Sequence, residues 1–178
     1  SLNQFNMVKT SNSNEGTIFL FDSLKDPRDM AQIIHLGLAL GLKIEFTGSS
    51  IQTNHPKVVG ILNSWIKGFK EKPNFGNTST HPDFFKRINF LKKEGYLIIG
   101  TTPNNNAIDL FEIDFSNKKQ VIVFGTETTG LCKKKQELMD LMIKLPMNPP
   151  TSFFTISVIA PIICFETIRQ KKHSKSTN

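Results

Sequence analysis

"VIVFGTETTGLCKKK" (residues 121–135) is the stretch on which the fold turns. Its first four residues are β-branched or aromatic, the composition of a strand buried on both faces. Gly125 ends the run, Glu127 and Gly130 follow at once, and a lysine trio leads into a short helical pattern. A buried strand that breaks into a glycine-flanked turn and then a helix is a βα unit. Repeated βα units build a parallel sheet.

The same grammar recurs along the chain. "TIFLF" (17–21), "KIEFTG" (43–48), "YLIIGTT" (96–102) and "MIKLP" (142–146) read as further strands. Between the first two, Asp26 is placed to cap a helix with Pro27 at its first position. Met30, Ile33, Ile34, Leu38 and Leu42 keep helical spacing, and Gly41 sits near the end. Pro56 starts a second helix carrying Val59, Leu62, Trp65 and Ile66. A third runs from Pro82 through Leu91, closed by Gly95; a fourth spans 133–142; a last one spans 155–169, interrupted by Pro161. Residues 67–83 crowd Gly, Pro, Asn, Ser and Thr and read as a loop. The expectation is α/β: a single domain with a mostly parallel sheet flanked by helices over residues 17–170. A flexible segment, 1–16, precedes it, and a disordered basic tail, 171–178, follows.

Composition narrows the function. No apolar run among the 178 residues approaches the roughly 20 needed to span a bilayer, and the polar start lacks a secretory signal. No membrane partner and a cytoplasmic location are the expectation. Cys132 and Cys164 are too few for a disulfide framework, and with four scattered histidines no metal site is expected. Twenty-two Lys and Arg against fifteen Asp and Glu give a net charge of +7, which suits a polyanion such as nucleic acid. Solvated lysine-rich faces would give the same total.

Ligands of open α/β sheets bind beyond the carboxyl ends of strands. Three loops lie there: "GTTPNNN" (100–106), "GTETTGL" (125–131) and "LPMNPPTSFF" (145–154). None has the glycine and lysine spacing of a dinucleotide or P-loop site. Taken in order, with "DPRDMAQIIHLGLALG" (26–41) before them, they resemble the SpoU/TrmH branch of the SPOUT RNA methyltransferases. Residues 26–41 resemble the first motif of that branch. "VFGTETTGL" (123–131) is similar to motif two, with Gly125, Glu127, Gly130 and Leu131 in place. "LPMNPPTSFFTISVIA" (145–160) is similar to motif three, with Pro146, Met147, Ser157 and Val158 in register.

The resemblance implies a C-terminal trefoil knot, the SPOUT fold, in a homodimer that binds S-adenosylmethionine and methylates a ribose 2′-oxygen of tRNA or rRNA. It would place the cofactor against Thr101, Thr102, Gly125, Thr126, Glu127, Leu145, Met147 and Phe154, with Ile143 or Leu145 on the purine. Glu127 would orient RNA or its own loop, or else cap the helix starting near Leu131. Arg28, Lys133, Lys134 and Lys135 would touch RNA phosphates.

Departures from the pattern concern catalysis. His35 stands where the family has its motif-one arginine, and Asp29 where it has asparagine; Pro149, Phe153 and Thr155 replace a glycine, a serine and an asparagine. The resemblance therefore leaves two readings. In one, His35 is the base of an active enzyme, imidazole titrating near neutrality, with Arg28, Glu127 and Thr155 beside it. In the other, the chain is an inactive RNA-binding relative, or a scaffold whose pocket Phe153 and Phe154 fill.

Overall fold

The computed structural model describes residues 15–104, 106–117, 119–126, 130–151 and 154–175. Seven strands form one sheet: β1 (Thr17–Asp22), β2 (Lys43–Thr47), β3 (Thr78–His81), β4 (Leu97–Thr101), β5 (Ile108–Asp109), β6 (Gln120–Phe124) and β7 (Leu141–Lys144). Their order is β3-β2-β1-β6-β4-β7-β5, and every pair is parallel. Among the described residues five α-helices flank it: α1 (Pro27–Leu40), α2 (Pro56–Trp65), α3 (Phe84–Lys93), α4 (Lys133–Gln136) and α5 (Ile156–Lys175).

β1 shows why the middles of the central strands are apolar on both faces. Phe19 and Phe21 join a core with α1, α2 and α5, while Ile18 and Leu20 join another with α3 and Leu131. Strict alternation thus feeds two cores rather than one core and solvent. Each such side chain contributes roughly 1.5–3 kcal/mol by leaving water. Phe21 also stacks on Phe124 of β6, with centroids 4.6 Å apart.

The topology sets up the site. β6, β4 and β7 are neighbours, so the loops that leave their carboxyl ends emerge side by side. Residues 102–119 leave β4, add β5 at the sheet edge and return to β6 on the other side of β4. β7 runs between β4 and β5, inside that excursion. Such threading is consistent with the knot implied by the resemblance.

Several boundaries differ from the sequence-based expectation. Residues 67–83 are not all loop, because residues 78–81 form edge strand β3 on β2. α3 begins at Phe84, not Pro82, since the Asp83 side chain accepts the Lys86 N–H as its cap. α4 stops at Gln136, and Leu141 already belongs to β7. The expected disordered tail is helical through 175. Its anchors are distant in sequence: Gln170 donates to the Ile113 carbonyl and accepts from the Phe115 N–H, and Lys171, 7% exposed, donates to the Glu15 carbonyl. Pro161 stands inside α5 without ending it.

Candidate functional site

The side-by-side loops make a narrow cleft of about 50 Å3. The end of β4 and the loop after it contribute Thr101, Thr102 and Pro103; the turn after β6 contributes Gly125, Thr126 and Gly130; the loop after β7 contributes Leu145 and Met147. Phe154, Ile156 and Ile159 close the far wall. The loops are tied to one another. The Thr101 hydroxyl donates to the Val123 carbonyl at 3.0 Å, and the Thr102 N–H to the Ile143 carbonyl at 3.0 Å. Thr126 and Gly130 form an antiparallel bridge, in which the Gly130 N–H reaches the Thr126 carbonyl at 2.8 Å.

That bridge explains the two glycines. A Cβ on Gly125 would lie 2.5 Å from the Gly130 carbonyl carbon and 2.6 Å from the Leu131 nitrogen, closer than atoms tolerate. Gly130 has φ +63°, which glycine adopts without cost. The turn therefore folds back on itself only with glycine at both ends. What it leaves is a slot with apolar walls and backbone amide edges, suited to a flat polar heterocycle with an attached sugar.

Seven of the eight expected cofactor residues, Thr101, Thr102, Gly125, Thr126, Leu145, Met147 and Phe154, line this cleft. Glu127 and Phe153 fall outside the described residues. Ile143 is fully buried within β7 and does not line the cleft, whereas Leu145, just past the end of the strand, does. Pro103, Gly130, Ile156 and Ile159 join the lining without having been expected there as cofactor contacts. Gly130 carried a signal in its motif, whereas the two isoleucines read as core like any other.

Of the expected catalytic residues, His35, Arg28 and Thr155 do not line the cleft. His35 lines a groove between α1 and α5 with Leu36, Leu40, Trp65, Ser157 and Phe165. Its ring lies 5.6 Å from that of Trp65, and the Arg28 guanidinium stands 5.8 Å from the same indole. One tryptophan thus holds both candidates. Thr155 starts α5, its carbonyl accepting the Val158 and Ile159 N–H groups, and its hydroxyl lies 3.1 Å from that of Ser157. The first turn of α5 divides the two cavities, with Ile156 and Ile159 on the cleft and Ser157 on the groove.

The lysine trio is not uniform. Lys133 and Lys134 are exposed, but Lys135 reaches back to the buried Asp22 carboxylate at 2.6 Å. The expectation of a phosphate contact at Lys135 gives way to an internal ion pair. Among the described residues no cluster of His, Cys, Asp or Glu could hold a metal ion, and no helix is long and apolar enough to cross a membrane. Burial pushes the Cys164 thiol well above its ordinary range.

The model of the SpoU rRNA Methylase family matches residues 16–165. The chain is 36% identical over 160 residues to a tRNA (guanosine(18)-2′-O)-methyltransferase of Borreliella burgdorferi, covering 88% of this chain and 67% of that one. It is 32% identical over 109 residues to the enzyme of that name from Thermus thermophilus, covering 56% of each. The chain thus matches little more than half the length of the Thermus relative. In fold it resembles the SpoU methyltransferase AviRb of Streptomyces viridochromogenes, solved with AdoMet. The TM-score is 0.73 at 22% identity, covering 90% of this chain and 62% of that one.

Proposed function

The chain belongs to the SpoU rRNA methylase family, and on that footing we propose that it methylates a ribose 2′-hydroxyl of RNA, using S-adenosylmethionine. The observation that carries this reading is the cleft, where all three strand-end loops converge on one slot. Its relatives among the tRNA 2′-O-methyltransferases support the substrate class, and the AdoMet complex of AviRb supports the cofactor.

When bound, S-adenosylmethionine supplies the electrophilic methyl of its sulfonium. Leu145, Met147 and Phe154 would pack against the adenine, and the backbone at Thr101, Gly125 and Met147 would meet its polar edges and ribose. The fit rests on the Gly125–Gly130 turn, which brings backbone rather than side chain to the slot. Placing the 2′-hydroxyl in line with the methyl supplies most of the rate. His35 would accept the proton that the hydroxyl loses as the methyl passes from sulfur to oxygen and the carbon–sulfur bond breaks; since its groove is separate from the cleft of the same chain, it would act there from a second copy. Arg28, whose guanidinium stands 5.8 Å from the Trp65 indole, would steady the adjacent phosphate.

A second copy completes the assembly. The groove between α1 and α5 is flanked by Val158, Ile162 and Phe165, all exposed apolar side chains of one helix. Covering them in a homodimer removes that surface from water and seats the His35 side of α1 in the interface.

The inactive reading keeps one observation in its favour: His35 lies in the groove against Trp65, not in the cleft. Transfer of radiolabelled methyl to unfractionated tRNA, followed by digestion to 2′-O-methylnucleosides, separates the two. Labelled ribose methyl supports the enzyme. No transfer by a chain that binds both tRNA and cofactor favours the binding module, and His35→Ala with unchanged rate removes the histidine base.

A further inference from the structure

α3 lies on the face of the sheet opposite the α1–α5 groove, and its outer surface takes no part in the cleft or the groove. Phe85, Lys86, Asn89, Phe90 and Lys93 are exposed on it. At 100° per residue they cover an arc of about 140°. The helix FFKRINFLKK contains no carboxylate. Asp83 and Glu94 stand only at its caps, and the Asp83 side chain is occupied by the Lys86 N–H.

The two exposed rings, 40% and 51% accessible, are braced from beneath. Phe85 rests edge-on against the buried Phe84 at 5.5 Å. Phe90 lies 5.2 Å from the Arg87 guanidinium, which is itself fixed by two bonds to the buried Glu45 carboxylate, at 2.6 and 2.8 Å. Lysines in a last turn offset the helix dipole, which accounts for Lys92 and Lys93. It does not account for two exposed phenylalanines at the ends of that arc, with Lys86 and Lys93 between them.

α3 also leads to the cleft. Phe84, Ile88 and Leu91 share a core with Leu131, the residue after Gly130, and the Lys135 ammonium stands 4.8 Å from the Phe84 ring. α4, on which Lys133 and Lys134 are exposed, thereby sits beside α3.

We infer that the α3–α4 face is an RNA-binding surface, on which Lys86, Lys93, Lys133 and Lys134 meet phosphates and Phe85 and Phe90 stack unpaired bases. This rests on the methyltransferase reading and adds to it where the body of the substrate lies. Exposed aromatics interleaved with cations fit single-stranded or loop RNA, whose bases have a free face. A protein partner would use the rings but not the excess charge.

The test is binding of unfractionated tRNA to the full chain by fluorescence anisotropy over a range of salt. Phe85→Ala/Phe90→Ala is expected to weaken binding about tenfold at each salt, with the salt slope kept. Lys86→Gln/Lys93→Gln is expected to lower the slope of log K against log salt by about 1.5. Both variants should keep the parent's melting temperature and its affinity for S-adenosylhomocysteine, and Lys86→Arg/Lys93→Arg should restore the slope. Affinity and slope within twofold of the parent in both variants would overturn the proposal and leave the rings to a protein partner. A parent that binds tRNA through this face but no S-adenosylhomocysteine would sink the enzymatic reading and uphold the surface.

Discussion

Lys135 holds its ammonium 2.6 Å from the Asp22 carboxylate, joining the helix after the cleft turn to the carboxyl end of β1. Asp22 is 4% exposed, and the Thr47 hydroxyl donates to its other oxygen at 3.0 Å. The pair thus fixes the helix that follows the second motif against the end of β1, which leads into the first. Lys135→Met leaves a buried carboxylate without its cation, which costs about 3–5 kcal/mol when both partners are fully buried. With Lys135 one-fifth exposed, about 2 kcal/mol is expected. Urea unfolding should read that loss, and Asp22→Asn/Lys135→Met should recover much of it in a double-mutant cycle.

Gly125→Ala should abolish the cleft without abolishing the fold. Its Cβ would meet the Gly130 backbone at 2.5 Å, so the turn must open and the Thr126–Gly130 bridge must break. A loss of at least tenfold in S-adenosylhomocysteine affinity is expected. Circular dichroism should show unchanged helix content.

Legibility in the sequence follows where burial lies. β1 is apolar from residue 18 to 21 and β6 from 121 to 124 on both faces, and α1 has Asp26 accepting from the Arg28 and Asp29 N–H groups, so composition alone placed them. β3, "TSTH", has no apolar residue and exists because β2 offers it a partner. The end of α5 is equally polar and is held by contacts with residues 15, 113 and 115. At the site, motif glycines and the residues after β4 and β7 were readable. The separation of His35 from the cleft was not, because helical spacing gives a face and not a neighbour.

His81 couples the β3 edge to acidity. It lies 3.5 Å from Glu45, yet burial lowers its pKa below the ordinary 6.5, outweighing the Glu45 carboxylate; Arg87 and Lys43 push the same way as burial. A histidine whose folded pKa is depressed binds fewer protons folded than unfolded, so stability falls as pH drops through 6.5. His81→Gln should flatten that fall. Thermal melts of the two chains between about pH 7.5 and 5 would read the difference, and parallel curves would count against it.

Phe165→Glu addresses the homodimer. Phe165 is 56% exposed beside the α1–α5 groove, and a carboxylate there cannot be buried without its solvation cost. Sedimentation should show a dimer for the parent and a monomer for the variant. A monomeric parent would remove the interface.

The central claim is that three loops form a slot for S-adenosylmethionine, and calorimetric titration of the chain with S-adenosylmethionine and S-adenosylhomocysteine tests it most directly. One site per chain is predicted, with micromolar affinity for both ligands and loss of that affinity in Gly125→Ala. No heat of binding at millimolar ligand, with the protein folded, would contradict the claim and leave the methyl transfer without its donor.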